Sequence, residues 1–255
     1  MPDIPSPEGC GCCNKPTHKE PTSEDLECCK RIHNINFSNY KNFKSFDFGE
    51  IFYYLDGRFI FTEKINDEVF QYMIERAVNI ETIHFGNKAI KSIAQFGTPI
   101  MIKLMIDKNV DLSNNSSFDG GKTQTGWQPI FYICMNYRTT AELVKYLLDK
   151  NVNFNLEDSY KRLPIQFLCK NKNFTAECLN YMISKGVLYN YTDELGETPL
   201  LSACTAINLD VGQCLVSKGC KIPSFKQVEQ YWFNHCSTVL PEDKKRVEDF
   251  IMSNQ

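Results

Sequence analysis

The sequence predicts an all-α solenoid: a stack of about four to five helix pairs joined by short turn fingers and closed by atypical terminal caps. Two periodic signals carry this reading. Five segments share one pattern, YMIERAVNI (72–80), LMIDKNVDL (104–112), YLLDKNVNF (146–154), YMISKGVLY (181–189) and CLVSKGCKI (214–222), and their starts are 32, 42, 35 and 33 residues apart. Each reads as an apolar helix end, a polar pair, a Gly or Asn (Ala77 in the first) and a short extended stretch. Gly or Asn fits there because the residue that ends a helix enters the left-handed region. A second signal precedes each of the last three endings: TGWQPIFYIC (125–134), YKRLPIQFLC (160–169) and LGETPLLSAC (195–204). Pro129, Pro164 and Pro199 suit a first helical turn, where a missing N–H costs nothing, and the Thr198 hydroxyl can cap the helix behind it. One such helix pair cannot bury its apolar stripe alone, so stacking must supply the core.

Taken in order, residues 1–30 hold Pro2, Pro5, Pro7 and Pro16 with little apolar periodicity and read as a Cys/Pro-rich arm. Residues 31–65 alternate aromatic and polar side chains and read as an irregular N-terminal cap or a short hairpin around Asp56-Gly57. The repeats run over residues 66–222. Within them, the unit at 84–115 shows helix periodicity through Ile90, Ile93, Ala94, Gly97, Ile102, Leu104 and Met105. The 42-residue step contains SNNSSFDGGKTQT (113–125), polar and Gly-rich, which predicts a lengthened finger loop. Residues 223–255 predict two closing helices, opened by Pro223 and Pro241.

These repeats resemble the ankyrin family. Asp193-Glu194-Leu195-Gly196-Glu197-Thr198-Pro199-Leu200-Leu201-Ser202-Ala203-Cys204 follows that family's D-x-x-G-x-T-P-L-H-x-A pattern, with Gly219 after the second helix. Leu201 replaces the usual His, which removes a side chain that bridges neighbouring repeats. The preceding unit keeps Asp158, Pro164 and Gly186 but has Lys161 and Leu163 in the Gly and Thr places; the unit at 123–157 keeps Gly126 and Pro129, with Gln128 for Thr. A helical-hairpin array of another family is the alternative, but the regular Gly/Asn-then-extended step favours ankyrin-type turns. Fold alone does not supply function.

Composition narrows the function classes. The 255 residues carry 28 Lys+Arg against 31 Asp+Glu, a net charge of −3, which gives no electrostatic reason to expect nucleic acid or an anionic bilayer as partner. No apolar run approaches the roughly 18–20 residues that cross a bilayer. The start, MPDIPSPEGCGCC, lacks the features of a secretory signal. An intracellular, cytoplasmic protein is expected. Abundant Asn, Lys, Ile, Phe and Tyr suggest an AT-rich genome, such as that of a large DNA virus or a protist. Of twelve cysteines, Cys134, Cys169, Cys178, Cys204, Cys214, Cys220 and Cys236 lie among apolar neighbours and read as reduced core residues. Four histidines, no phosphate loop and no nucleophile elbow make an enzyme unexpected. Cys10, Cys12, Cys13, Cys28 and Cys29, with His18 and His33, offer enough ligands for a tetrahedral zinc, but C-x-C-C and C-C pairs crowd adjacent side chains. The reading there is a plain arm without cofactor, with zinc or acylation of Cys10, Cys12 or Cys13 as alternatives.

The resemblance implies a non-enzymatic module that binds a partner protein through a concave face built from finger turns and first helices. By that correspondence the face comprises His84, Phe85, Asn87, Gln95 and Phe96; Gln124, Thr125, Trp127, Met135 and Asn136; Ser159, Tyr160, Arg162, Lys170 and Asn171; and Glu194, Leu195, Glu197, Thr205 and Ala206. Trp127, Tyr160 and Arg162 are the expected anchors, because Trp, Tyr and Arg dominate binding hot spots; the alternative for Trp127 is packing under the 113–125 loop. Two other functions stay open. One is a structural subunit fixed in a larger assembly. The other is an adaptor to a ubiquitin ligase, suggested by Leu240-Pro241-Glu242-Asp243 followed by Val247, Phe250 and Ile251, which faintly resembles the helices that end some viral ankyrin proteins.

Overall fold

The computed structural model describes residues 46–47, 65–75, 77–78, 86–110, 112, 127–235 and 238–255. The N-terminal arm, Asp56-Gly57 and the 113–125 loop lie outside these residues, as do Phe85, Gln124, Thr125, Cys10, Cys12, Cys13, Cys28 and Cys29. The chain divides into two compact units, Met1–Asp111 and Leu112–Gln255.

The first unit contains β1 (Phe46–Asp47), α1 (Asp67–Glu75), β2 (Ala77–Val78), α2 (Gly86–Phe96) and α3 (Pro99–Asp107). The strands pair in parallel, Phe46 with Ala77 and Asp47 with Val78, so the extended stretch expected after α1 is a short strand. Asn66 caps α1 by accepting from Val69 N at 2.9 Å, and Thr98 caps α3 by accepting from Met101 N at 3.2 Å. α3 packs on both α1 and α2. Its core brings together Phe70 and Met73 of α1, Ile93 and Ala94 of α2, and Met101, Ile102 and Met105 of α3, all essentially without solvent contact. Leu104, expected in that core, is half-buried.

The second unit is a two-layer stack of four helix pairs: α4 (Pro129–Met135) with α5 (Ala141–Asp149), α6 (Pro164–Cys169) with α7 (Ala176–Ser184), α8 (Pro199–Thr205) with α9 (Leu209–Ser217), and α10 (Phe225–His235) with α11 (Pro241–Asn254). First helices stack in the order α4–α6–α8–α10 and second helices in the order α5–α7–α9–α11. The closing helices therefore continue both layers. Val247 and Ile251 of α11 are buried, and Phe250 lies against α9 at Gly212, where an added Cβ would stand 3.1 Å from its ring. The apolar stripe that suggested a ligase adaptor is thus used in packing the stack.

Local chemistry sets the helix ends. Asn109, Asn151, Gly186 and Gly219 have φ of 58°, 60°, 83° and 81°. In each case the following N–H (Val110, Val152, Val187, Cys220) donates to the carbonyl five residues back, closing a Schellman motif. The first helices α4, α6 and α8 each open with proline, and Thr140, Thr175 and Thr198 cap helices through their hydroxyls. Leu147 and Leu200 sit between layers at 0% and 1% exposure. Cys134, Cys169, Cys178, Cys204, Cys214 and Cys220 are free and buried, as small apolar core residues.

Candidate functional site

The fingers between helix pairs are built by two aspartates with the same geometry. Asp158 Oδ1 accepts from Tyr160 N and Arg162 N, both at 2.9 Å, and Asp193 Oδ1 accepts from Leu195 N at 2.9 Å and Glu197 N at 2.8 Å. Each second oxygen receives the previous repeat: Trp127 Nε1 donates to Asp158 Oδ2 and Gln166 Nε2 to Asp193 Oδ2, both at 2.8 Å. Neighbouring fingers also meet through the backbone, where Glu194 N donates to Tyr160 O at 3.0 Å.

Gln166 stands in the family's His position, and the sequence reading passed over it. Its Oε1 accepts from Leu163 N and from the Tyr191 hydroxyl, while its amide reaches Asp193, so one buried side chain caps α6 and ties two repeats together. Burial raises the Tyr191 pKa far above its ordinary value, which keeps that hydroxyl a donor.

Around Asp158 lies an aromatic cluster. Arg162 Nε and Nη2 both donate to Asp158 Oδ2 at 2.7 Å. The guanidinium carbon is 5.1–5.3 Å from the ring centroids of Tyr160, Trp127 and Phe167. Trp127 meets Phe167 and Tyr132 edge to face at 5.3 and 5.4 Å. Trp127 and Tyr160 are half-buried, but the Arg162 side chain is only 18% exposed and that of Asp158 is 0% exposed. Arg162 is one of the anchors expected on the binding face. It is instead the counter-charge of a buried carboxylate, and removing it would leave that charge unpaired.

Further along, Lys170 of the α6 end pairs with Glu197 at 3.1 Å and donates to the Tyr231 hydroxyl at 3.0 Å. Burial pushes the Lys170 ammonium down, but Glu197 and Tyr231 outweigh it and hold its pKa above the ordinary value. Tyr231 stacks on His235 at 4.3 Å. Tyr231 and His235 extend the row of first-helix side chains; the sequence reading had placed them in a terminal cap.

Asn136 and Asn171 were also expected on the binding face, and here the structure differs. They are 2% and 9% exposed. Each turns the chain by accepting a backbone N–H on its own Oδ1, and Asn171 Nδ2 donates to Asn136 O at 3.0 Å, as Asn208 Nδ2 does to Asn171 O at 3.3 Å. They form an inter-repeat ladder, because their amides satisfy loop carbonyls that would otherwise be buried unpaired. Thr205 is likewise buried, with its carbonyl accepting from Trp232 Nε1 at 2.9 Å.

What stays open to solvent on this side is mainly Met135, Tyr137, Ser159, Lys161, Glu194 and Leu195, with Tyr160 and Glu197 half-buried. Leu195 is 58% and Tyr137 67% exposed, a large apolar area for side chains in rigid turns. Tyr137 was missed in the sequence; the signal, an aromatic in the Asn-Tyr-Arg turn after a first helix, was there. Gln95 and Phe96 are half-buried on α2 of the first unit.

Among the described residues, no group of three or more His, Cys, Asp or Glu is arranged to hold a metal ion, and no helix is long and apolar enough to cross a membrane. A search of curated proteins returns no match to this sequence. The family model for ankyrin repeats (3 copies) matches residues 130–226, the three helix pairs α4–α5, α6–α7 and α8–α9. Residues 130–226 are thus ankyrin repeats, a fold that generally mediates protein–protein interaction, is typically non-enzymatic and implies protein partners.

Proposed function

We propose that this protein works inside the cell as a non-enzymatic interaction module that binds a partner protein across the finger-and-first-helix face of its repeat stack. The observation that carries the reading is the row from Trp127 through Tyr160 to the next finger at Leu195 and on to Lys170 and Tyr231, with the exposed Tyr137 in the turn after α4. It combines aromatic rings, an apolar side chain and a cation on elements already fixed by buried polar links. Rigid aromatic groups bury much area at modest entropic cost, which is what binding anchors require. Trp127 and Arg162 pre-organise this face; Tyr160, Leu195 and Tyr137 offer the contact area. The free, buried cysteines fit a reducing compartment.

The test is site-specific photo-crosslinking in the native cell. A photoreactive residue at Tyr137, Tyr160 or Leu195 should capture one common protein, whereas the same group at the exposed Gln213 of α9 should not. Capture from Gln213 alone would place the interface on the second-helix layer and sink this reading. The double substitution Tyr137→Ala with Leu195→Ser, at side chains 67% and 58% exposed, should weaken binding to the captured protein by at least about 2 kcal/mol without lowering the melting temperature.

A further inference from the structure

The finger array ends abruptly, and what is missing defines a second surface. Between the left-handed residue that ends a second helix and the start of the next first helix, the chain uses residues 152–163 in one step and 187–198 in the next. In the last step it uses only 220–224, because α10 begins at Phe225. Ser224 and Gln227 cap α10 at once through reciprocal bonds, Ser224 N to Gln227 Oε1 at 2.8 Å and Gln227 N to Ser224 Oγ at 3.3 Å, so there is no room for a finger.

A cavity of about 260 Å³ occupies the place where that finger would lie, lined by Asn190, Thr192, Leu201, Lys221, Ile222 and Pro223 among others. The repeat register shows what its walls do elsewhere. Asn155, one repeat before Asn190, clamps the next unit by donating to Gly186 O at 3.1 Å and accepting from Leu188 N at 2.9 Å. Tyr160 O, one repeat before Leu195 O, accepts from the following finger. Gln166, one repeat before Leu201, reaches the following aspartate. The Leu201 replacement thus has a reason: no finger follows for a polar side chain to bridge to. Among the described residues, the Asn190 amide, the Leu195 carbonyl and the Lys221 ammonium have no partner.

We propose that this open edge docks an acidic turn of a partner protein, which adds to the stack as a further finger. Two arguments select that occupant. The edge continues a series of finger-on-finger interfaces with its backbone acceptor still free, and unpaired edges of this kind recruit extended segments through main-chain bonds. The charge is complementary as well. Among the described residues, Lys221 is the sole charged residue lining the cavity, and the protein's own finger at 187–198 pairs its carboxylates with cations of a neighbouring unit, Glu194 with Lys161 at 3.6 Å and Glu197 with Lys170 at 3.1 Å. Leu201, Ile222 and Pro223 form an apolar floor that favours a neighbouring apolar side chain in the occupant. This surface is distinct from the first-helix face, and its test does not depend on that reading.

The probe is a cyclised, fluorescein-labelled peptide with the protein's own finger sequence, residues 188–198, titrated into the full chain and followed by anisotropy. Saturable binding is expected, weakened at least about tenfold by Lys221→Glu, by Asn190→Ala, or by replacing the peptide's carboxylates with amides. Lys221 and Asn190 are exposed, so thermal melts of both variants should match the parent. Grafting a seven-residue finger into 220–224 should block the peptide. No saturable binding, or binding indifferent to Lys221→Glu and Asn190→Ala, would overturn the proposal. Loss only with Tyr160→Ala would move the peptide to the first-helix face, and a Lys221-dependent dimer of the free chain would make the occupant a second copy; both also overturn it.

Discussion

The fingers at Asp158 and Asp193 have the same backbone and different supports. At Asp193 the family pattern is nearly complete. Gly196 takes the left-handed position at φ 80°, Thr198 caps α8, and a neutral amide, Gln166, is the incoming donor. At Asp158 the Gly and Thr places hold Lys161 and Leu163. Lys161 still takes φ 57°, and Leu163 provides no side-chain cap. That finger is held by a buried ion pair, three aromatic rings around one guanidinium and the Trp127 indole. A turn whose local residues are unfavourable can therefore persist when tertiary contacts over-determine it.

The largest expected effect strikes both fingers alike. Burial pushes the Cys178 and Cys204 thiols up to about 12 and Cys220 up to about 11 from an ordinary value of 9.0; Cys134 and Cys169 are raised for the same reason. Tyr191 is raised mainly by burial, and Lys170 by Glu197 and Tyr231 against the opposing effect of burial. In all these groups the folded state keeps its proton longer than the unfolded chain. The associated stability is complete below the unfolded pKa and is lost as pH rises through the folded one. The urea midpoint should fall steadily from about pH 9 to about pH 12; a flat profile would mean the thiols are hydrated.

Asp158→Ala should then cost about 3–5 kcal/mol in urea unfolding, because it strands the Arg162 guanidinium as well as the indole N–H. Asp193→Ala should cost less, about 1–3 kcal/mol, since it strands only neutral donors. Equal losses would show that the ion pair contributes nothing beyond its hydrogen bonds. Lys161→Gly should stabilise the first finger by about 1 kcal/mol by relieving left-handed strain, while the exposed pair with Glu194 that it removes is worth little. The smallest effect is expected away from both fingers. Ile207, β-branched at φ 61°, ends α8, and Ile207→Asn should raise stability by about 0.5–1 kcal/mol. A decrease would mean that Ile207 packing outweighs the strain.

Local rules made much of this legible. Asn109, Asn151, Gly186 and Gly219 end helices because the left-handed position is a property of a few consecutive residues, and Pro129, Pro164 and Pro199 start them for the same kind of reason. From such signals the sequence by itself determined the helix pairs, their period and the ankyrin class of the stack. The tertiary structure alone decided which side chains remain free to bind. Asn136 and Asn171 look exposed in any single repeat, yet they are enclosed once Asn171 and Asn208, 35 and 37 residues further on, donate to their carbonyls, and Arg162, paired with Asp158 of its own finger, is covered by the Trp127 ring of the preceding repeat. It also decided that Tyr231 joins the first-helix row, that Gln166 replaces the bridging His, and that Leu201 faces a vacated finger position. Each depends on contacts between repeats, where the donor, its acceptor and the water they exclude come from segments that meet only when the stack has formed.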